Sequence, residues 1–330
     1  MKKILSLMLV AVMLLSMLAF TGCSNEPETQ DPETVTIKAL NANKELTDIE
    51  VPYNPERICV LDMAALDIID SLGLGNRIVG SAKVTIEYLT QYNPDDSNGK
   101  IANCGSVKTA DMEQVAACAP DVIFIGGRLS KSYADLEKIA PVVYLAVDYS
   151  RGGVVMNTKE NATAIATMFG KTAEVDAKFD GFQTRIDALN KILKGKEMLL
   201  CMYNNNALSV MATDSQLNFM VNELGGIDKG AGVVLEEKPA HGTDAGWETI
   251  VSIAPEYMFV LDRSTATGSA DEGVLGAREV IENDLVKEMQ CYKDGKIVYF
   301  IQHANVWYTS TGGVQALDTM IADLEAALIK

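Results

Sequence analysis

Two stretches decide the fold: DMEQVAACAPDVIFIGGR at 111–128 and GWETIVSIAPEYMFVLDR at 246–263. Each reads as a short helix, an Ala-Pro step, an acid, a continuous apolar strand and then an arginine. At a fixed offset of 135 residues, Glu113 matches Glu248, Ala119 matches Ala254, Pro120 matches Pro255, Phe124 matches Phe259 and Arg128 matches Arg263. An internal repeat of this size predicts two lobes of similar construction. The strand parts carry no polar alternation, as expected of strands covered on both faces of a parallel sheet.

The flanking sequence repeats the alternation. VTIKAL and LTDIEVP predict a hairpin turning at 41–44, and PERICVLD (55–62) and RIVGSA (77–82) predict strands. ALDIIDSLGLG (65–75) predicts a helix stopped at glycine. SKSYADLEKIA (130–140) reads as a helix, VVYLAV (142–147) as a strand, and EMLLCMY (197–203) as a strand that resumes the pattern. Between them, ENATAIATMFG (160–170) and the following stretch to Lys196 carry helical spacing. The fold class is therefore α/β, with two parallel-sheet lobes joined by a long rigid helix and a cleft between them. The expected division is an N-terminal lobe at 36–158, connecting helices at 159–196 and a C-terminal lobe at 197–330.

The first residues read as an address. Lys2 and Lys3 precede an apolar run at 4–20, followed by Thr21, Gly22 and Cys23, the pattern of an export signal. Gly22-Cys23 resembles the lipobox of bacterial lipoproteins, with Phe20 where leucine is usual. This implies a signal peptide at 1–22, lipidation of Cys23 and an acidic tether at 23–35 whose composition resists ordering. Five further cysteines remain: Cys59, Cys104, Cys118, Cys201 and Cys291. They read as buried free thiols, with one disulfide left open.

Acids outnumber bases 45 to 28, for a formal charge of -17. Nucleic acid needs a basic surface and is excluded as the main partner. No GxSxG, Walker loop or helix-opening GxGxxG is present, so no enzyme is expected. With only His241 and His303, a three-histidine metal site is impossible. Against this acidic background, Arg128 and Arg263 each stand past the carboxyl end of a parallel strand, where open α/β sheets bind ligands. Two permanent cations in one cleft imply an anionic ligand rich in oxygen acceptors. The plainer arrangement is a pair of surface cations, each neutralised by local acids such as Asp262. Lys83, after the strand at 77–82, could add positive charge.

GGRLSKSYADLEKIAP (126–141), HGTDAGWETIVSIAPEYMFVLDR (241–263) and VWYTSTGGVQALDTMI (306–321) together resemble the iron-siderophore substrate-binding lipoproteins of ABC importers. The likeness is to their catecholate-siderophore (enterobactin- and petrobactin-receptor-like) subgroup, of the class III periplasmic-binding-protein fold. The resemblance implies capture of an anionic ferric siderophore and its delivery to an ABC permease and ATPase. The protein would be a monomer anchored by lipid on the outer side of the cell membrane. No intrinsic cofactor is implied, since ferric iron travels inside the ligand. Arg128 and Arg263 match two of three subgroup arginines that contact catecholate oxygens, and Gln216 stands where the third is expected. His241 and Tyr308 match residues that bind ferric iron when a tetradentate siderophore leaves two positions open. Trp307 accompanies Tyr308 in the expected ligand set, and His303 is a further cleft candidate. Glu113 and Glu248 match the glutamates, one per lobe, that dock on permease arginines. The alternative on the same scaffold is a haem- or corrinoid-binding lipoprotein, with propionates on the arginines and His241 plus a methionine on the iron.

Overall fold

The computed structural model describes residues 32–233, 242–268 and 273–329. Thr34–Lys330 clusters as one compact unit. It contains two α/β lobes, each built on its own sheet.

The first sheet has seven strands in the order Leu46–Pro52, Thr34–Leu40, Val142–Tyr144, Val122–Ile125, Ile58–Val60, Ile78–Ser81 and Ala102–Asn103. The expected hairpin forms its antiparallel edge, in register from Thr34 opposite Pro52 to Leu40 opposite Leu46. The strands from Val142 to Asn103 in that order pair in parallel. The second sheet centres on Glu197–Asn204, which pairs in parallel with Tyr257–Asp262; that strand pairs in parallel with Ile297–Phe300. Ala207–Val210 and Thr243–Asp244 add antiparallel strands on the other side.

Why the central strands are uniformly apolar is visible at Glu197–Asn204. Met198, Leu200 and Met202 face the larger core, while Leu199, Cys201 and Tyr203 face a second one. Side chains alternate faces along a strand, so a strand covered on both faces has no position for a polar residue. The larger core is continuous from the first sheet through the helices to Phe259, Phe300 and Trp307 of the second lobe. A large apolar contact between lobes opposes the relative motion that is otherwise the default.

The repeat extends to backbone conformation. The helices Met112–Ala117 and Trp247–Ile253 begin 135 residues apart. Ala119 and Ala254, before the matched prolines, both adopt positive φ, of 42° and 46°. Left-handed residues commonly end helices, although glycine is the usual choice. Two alanines bearing this small strain at equivalent places mark one turn used twice.

The connector is two helices, Val154–Met168 and Thr172–Leu193, broken at Gly170 with φ of 65°. The second spans about 33 Å at 1.5 Å per residue. The first begins six residues before the expected Glu160, because its cap comes from elsewhere. The Val155 N–H donates to Glu223 Oε1 at 2.8 Å. A Cβ on Gly153 would lie 1.9 Å from that oxygen, so the approach requires glycine. The final helix, Val314–Leu328, packs back onto the helices Met63–Ser71, Val154–Met168 and Thr172–Leu193. Asp67, fully buried, caps it by accepting from the N–H groups of Gln315 (2.8 Å) and Ala316 (2.9 Å) and from Tyr88 Oη (2.6 Å). Arg185 of the connector grips Glu325 through two nitrogens, at 2.9 and 2.7 Å, and also pairs with Asp318.

Burial pushes the Glu223 carboxyl up from 4.5 to about 7, and its Oε2 is buried without a hydrogen-bond partner. The folded state therefore binds this proton more tightly than the unfolded state does. Stability from this group is complete below about pH 4.5 and is lost as pH rises through about 7. Glu223→Gln keeps an oxygen to cap Val155 and removes the titration. The variant is expected to flatten that part of the pH profile in urea denaturation. At pH 8 it should exceed the parent by about 1–2 kcal/mol, discounted because Glu223 retains some solvent contact. A parallel pH profile in parent and variant would contradict this.

Candidate functional site

Arg128 follows the strand Val122–Ile125 at the start of a short 3-10 turn, Gly127–Ser132. Arg263 opens the helix Arg263–Thr267 directly after the strand Tyr257–Asp262. Tyr308 sits on the helix Ala304–Thr309, which follows the strand Ile297–Phe300 and packs on the Arg263 helix. All three therefore project from the carboxyl ends of parallel strands. The guanidinium carbons of Arg128 and Arg263 each lie 5.6 Å from the centroid of the Tyr308 ring. The two cations can thus be no farther apart than twice that distance, although they come from different sheets. Both distances lie within cation–π range.

Neither arginine is neutralised by a carboxylate in an ion pair among the described residues. Arg263 donates through Nε to Tyr308 Oη (3.0 Å) and through Nη1 to Asn204 Oδ1 (2.7 Å), both neutral groups. Asp262, the acid next to it in sequence, is buried and spends both oxygens on Thr265, whose N–H (3.0 Å) and Oγ1 (2.9 Å) donate to it. Asp62 behaves alike in the first lobe: it caps the helix Met63–Ser71 through the Ala65 N–H at 3.0 Å. Burial raises its pKa, and two backbone N–H groups and the nearby charge of Arg128 hold it down only in part. Gly126 permits this packing, since a Cβ there would lie 2.0 Å from Asp62 Oδ2.

The cleft has a large chamber of about 1380 Å³ and a smaller one of about 260 Å³. Val107, Arg128, Tyr308 and Thr309 line both. The larger chamber also meets Arg263, Lys108 and His303, and the smaller one meets Asp62, Tyr149 and Gln216. Small-molecule sites commonly occupy roughly 300–1,000 Å³, so the larger chamber admits a bulky ligand.

The structure brings Arg128, Arg263, Tyr308 and Gln216 together. It places others elsewhere. Trp307 is fully buried, its indole stacked on Phe300 at 3.9 Å and its Nε1 donating to Asp323 Oδ2 at 2.9 Å. The helix turns its ring into the core while Tyr308, one residue on, faces the cleft. Lys83 is exposed and lines neither chamber; the lysine on the wall is Lys108, from the tight hairpin Gly105–Ser106 and Thr109–Ala110. Two-residue strands leave almost no periodic signal, which is why the sequence did not reveal Lys108. His303 is on the wall, its Nδ1 2.8 Å from Asp323 Oδ1. Glu113 and Glu248 are exposed in the first turns of the two repeat helices. His241, Cys23 and the segment 1–22 lie outside the described residues. All five remaining cysteines are buried and free. Among the described residues no helix is long and apolar enough to cross a membrane.

Residues 58–303 match the family model described as periplasmic binding protein. The chain belongs to that family. It is similar, at 30% identity over all of both chains, to the petrobactin-binding protein YclQ of Bacillus subtilis. The crystal structure of YclQ matches with a TM-score of 0.78, covering 91% of this chain and 100% of that one. The periplasmic catecholate-siderophore binding protein VctP of Vibrio cholerae matches at 28% identity with a TM-score of 0.76, over 89% of this chain and 100% of that one. The ferric-anguibactin-binding protein FatB of Vibrio anguillarum is 26% identical, over 96% of this chain and 95% of its own.

Asp323 holds the His303 ring and the Trp307 indole with one carboxylate. Removing it leaves a buried indole N–H unpaired, a loss of about 1–3 kcal/mol. Asp323→Ala is expected to lower the urea midpoint accordingly and to shift Trp307 emission to the red. An unchanged midpoint and spectrum would show that this bridge does not hold the helix.

Proposed function

We propose that this chain is an extracytoplasmic lipoprotein that captures an anionic ferric siderophore, of catecholate type, and delivers it to an ABC permease and its ATPase. The observation that carries the reading is the pair Arg128 and Arg263, brought from two sheets onto Tyr308 and held in no carboxylate ion pair among the described residues, although Asp62 lies near enough to feel Arg128. A ferric catecholate offers the missing negative charge as a cluster of oxygens, and guanidinium forks suit such acceptors. The relatives reported above are named for siderophores or their iron complexes, and none for haem or a corrinoid.

In this reading Arg128, Arg263 and Lys108 supply positive charge, while Gln216 offers a neutral hydrogen bond where a third arginine is expected. Tyr308 presents an oxygen donor on the cleft wall. Phenolate oxygen suits hard ferric iron whenever a tetradentate siderophore leaves positions open, and His241 is the proposed nitrogen partner. No bond of the ligand is made or broken by the protein, so the role is binding and handover without turnover. Lipidated Cys23 holds the monomer at the outer face of the membrane, and the exposed Glu113 and Glu248 orient it on the permease.

Tryptophan quenching with a panel of iron-loaded catecholate, citrate and hydroxamate siderophores, haem and cobalamin tests the ligand class. Ferric catecholates are expected to bind best; preference for haem with a Soret shift would replace the reading. Arg128→Ala and Arg263→Ala should each weaken the best ligand by at least about 1.5 kcal/mol, more than tenfold. Gln216→Arg should tighten the most anionic complexes selectively. Unchanged titrations in both alanine variants would remove the cleft assignment.

Glu113→Ala with Glu248→Ala is expected to leave quenching unaltered and to slow iron uptake by whole cells. Rim charges of this kind mainly set association rate and orientation. Normal uptake by cells carrying only the double variant would dismiss the docking role.

A further inference from the structure

Three of the cysteines meet at one point in the first lobe, away from the cleft. Cys59 lies in the strand Ile58–Val60 and pairs in register with Gly80, which in turn pairs with Ala102 on its other side. Cys104 follows that outer strand, its N–H donating to Ser81 O at 3.0 Å. Cys118 enters from the end of the helix Met112–Ala117. Their three sulfur atoms all lie within 4.8 Å of one another.

Gly80 makes the convergence possible. A Cβ at that position would lie 2.6 Å from Cys104 Sγ, 3.0 Å from Cys118 Sγ and 3.4 Å from Cys59 Sγ. The sulfurs thus occupy the space above the strand that any other side chain would take. The strands of Cys59 and Cys104 flank that of Gly80, so their backbones stand two strand spacings apart, roughly 9.5 Å. A disulfide tolerates Cα separations only to about 7 Å, so these two thiols approach without being placed to bond.

We propose that Cys59, Cys104 and Cys118 form a three-coordinate thiolate site for a soft d10 cation of the Cu(I) class. A metal bound by three sulfurs at about 2.3 Å needs them roughly 4 Å apart, a small contraction from the observed limit. Thiolate sulfur selects soft ions. Among the described residues no histidine or carboxylate completes the cluster, which disfavours Zn(II), an ion that prefers four ligands. Cys59 and Cys104 are fully buried and Cys118 is 7% exposed, so entry is from the Cys118 side. On binding, three S–Cu bonds form and the thiol protons leave to solvent, with no change of oxidation state. Arg57, which donates to the carbonyls of Cys118 (through Nη2) and Ala119 (2.8 Å), supplies nearby positive charge. The site is independent of the siderophore cleft and does not rest on the function proposed for it.

The test titrates the full reduced chain with Cu(I) under anaerobic conditions, in competition with a Cu(I)-selective chelator. One equivalent is expected to be retained, with thiolate-to-metal absorption in the ultraviolet. Cys104→Ser and Cys118→Ser should each weaken retention at least tenfold, while Cys201→Ser, outside the cluster, should bind as the parent does. Circular dichroism establishes that each variant is folded. X-ray absorption on the copper-loaded parent, which needs no variant, should show three sulfur neighbours and no nitrogen. Copper held no better than by the chelator, retention unchanged in both serine variants, nitrogen ligation, or a disulfide within the cluster of the untreated protein would each overturn the proposal.

Discussion

Two guanidinium groups held over one phenol ring constrain everything around them. Like charges this close repel, and a protein of formal charge -17 has acids to spare for neutralising them. Yet Asp262, next to Arg263 in sequence, is hydrogen-bonded to Thr265, and Asp62, which feels the charge of Arg128, is hydrogen-bonded to the Ala65 N–H. Arg263 is steadied by an amide oxygen and a hydroxyl, which fix direction without cancelling charge. The ring of Tyr308 offers both cations its negative face, a modest stabilisation that leaves their edges available. The arrangement leaves both guanidinium groups without a carboxylate ion pair among the described residues.

The repeat explains how two sheets deliver matched side chains to one place. In each lobe a helix ends on a left-handed alanine, a proline follows, and an apolar strand runs to its carboxyl end before the arginine. The unit is a device for presenting one cation at a strand end, and facing two such units creates the cleft. The overall negative charge matters here as well. At long range it disfavours an anionic ligand, so attraction must come from the local field of the cleft walls, where low-dielectric surroundings focus it. Association with a highly charged complex should therefore respond to salt, which screens both effects.

Much of the scaffold was legible because its signals are local. The hairpin at 41–44, the uniformly apolar strands and the 135-residue offset needed only neighbouring residues or a repeat to be seen. Arg128 and Arg263 were named because strand ends in parallel sheets are ligand positions, and Gln216 and Tyr308 because the resemblance implied them; the structure sets all four on the walls of the two chambers. What escaped depends on partners distant in sequence. The helix at Val154 starts early because Glu223, 68 residues on, supplies its cap. Nothing adjacent to Trp307 reveals that Asp323 and Phe300 draw it into the core. Lys108 reaches the wall from a hairpin too short to show periodicity, whereas Lys83, at a more conspicuous strand end, does not line the cleft. The final helix belongs by sequence to the second half, yet its cap is Asp67, 248 residues before Gln315.

That last tie bears on how far the lobes can move. The helix Val314–Leu328 leaves the second lobe, is capped by the first and is clamped to the connector by Arg185. The apolar core runs unbroken beneath it from one sheet to the other. A hinge between the lobes would have to part this core, whereas the final helix, capped by Asp67 and packed on the first lobe and the connector, would stay with them. Large closure around a ligand is therefore opposed by the same contacts that hold the lobes in place.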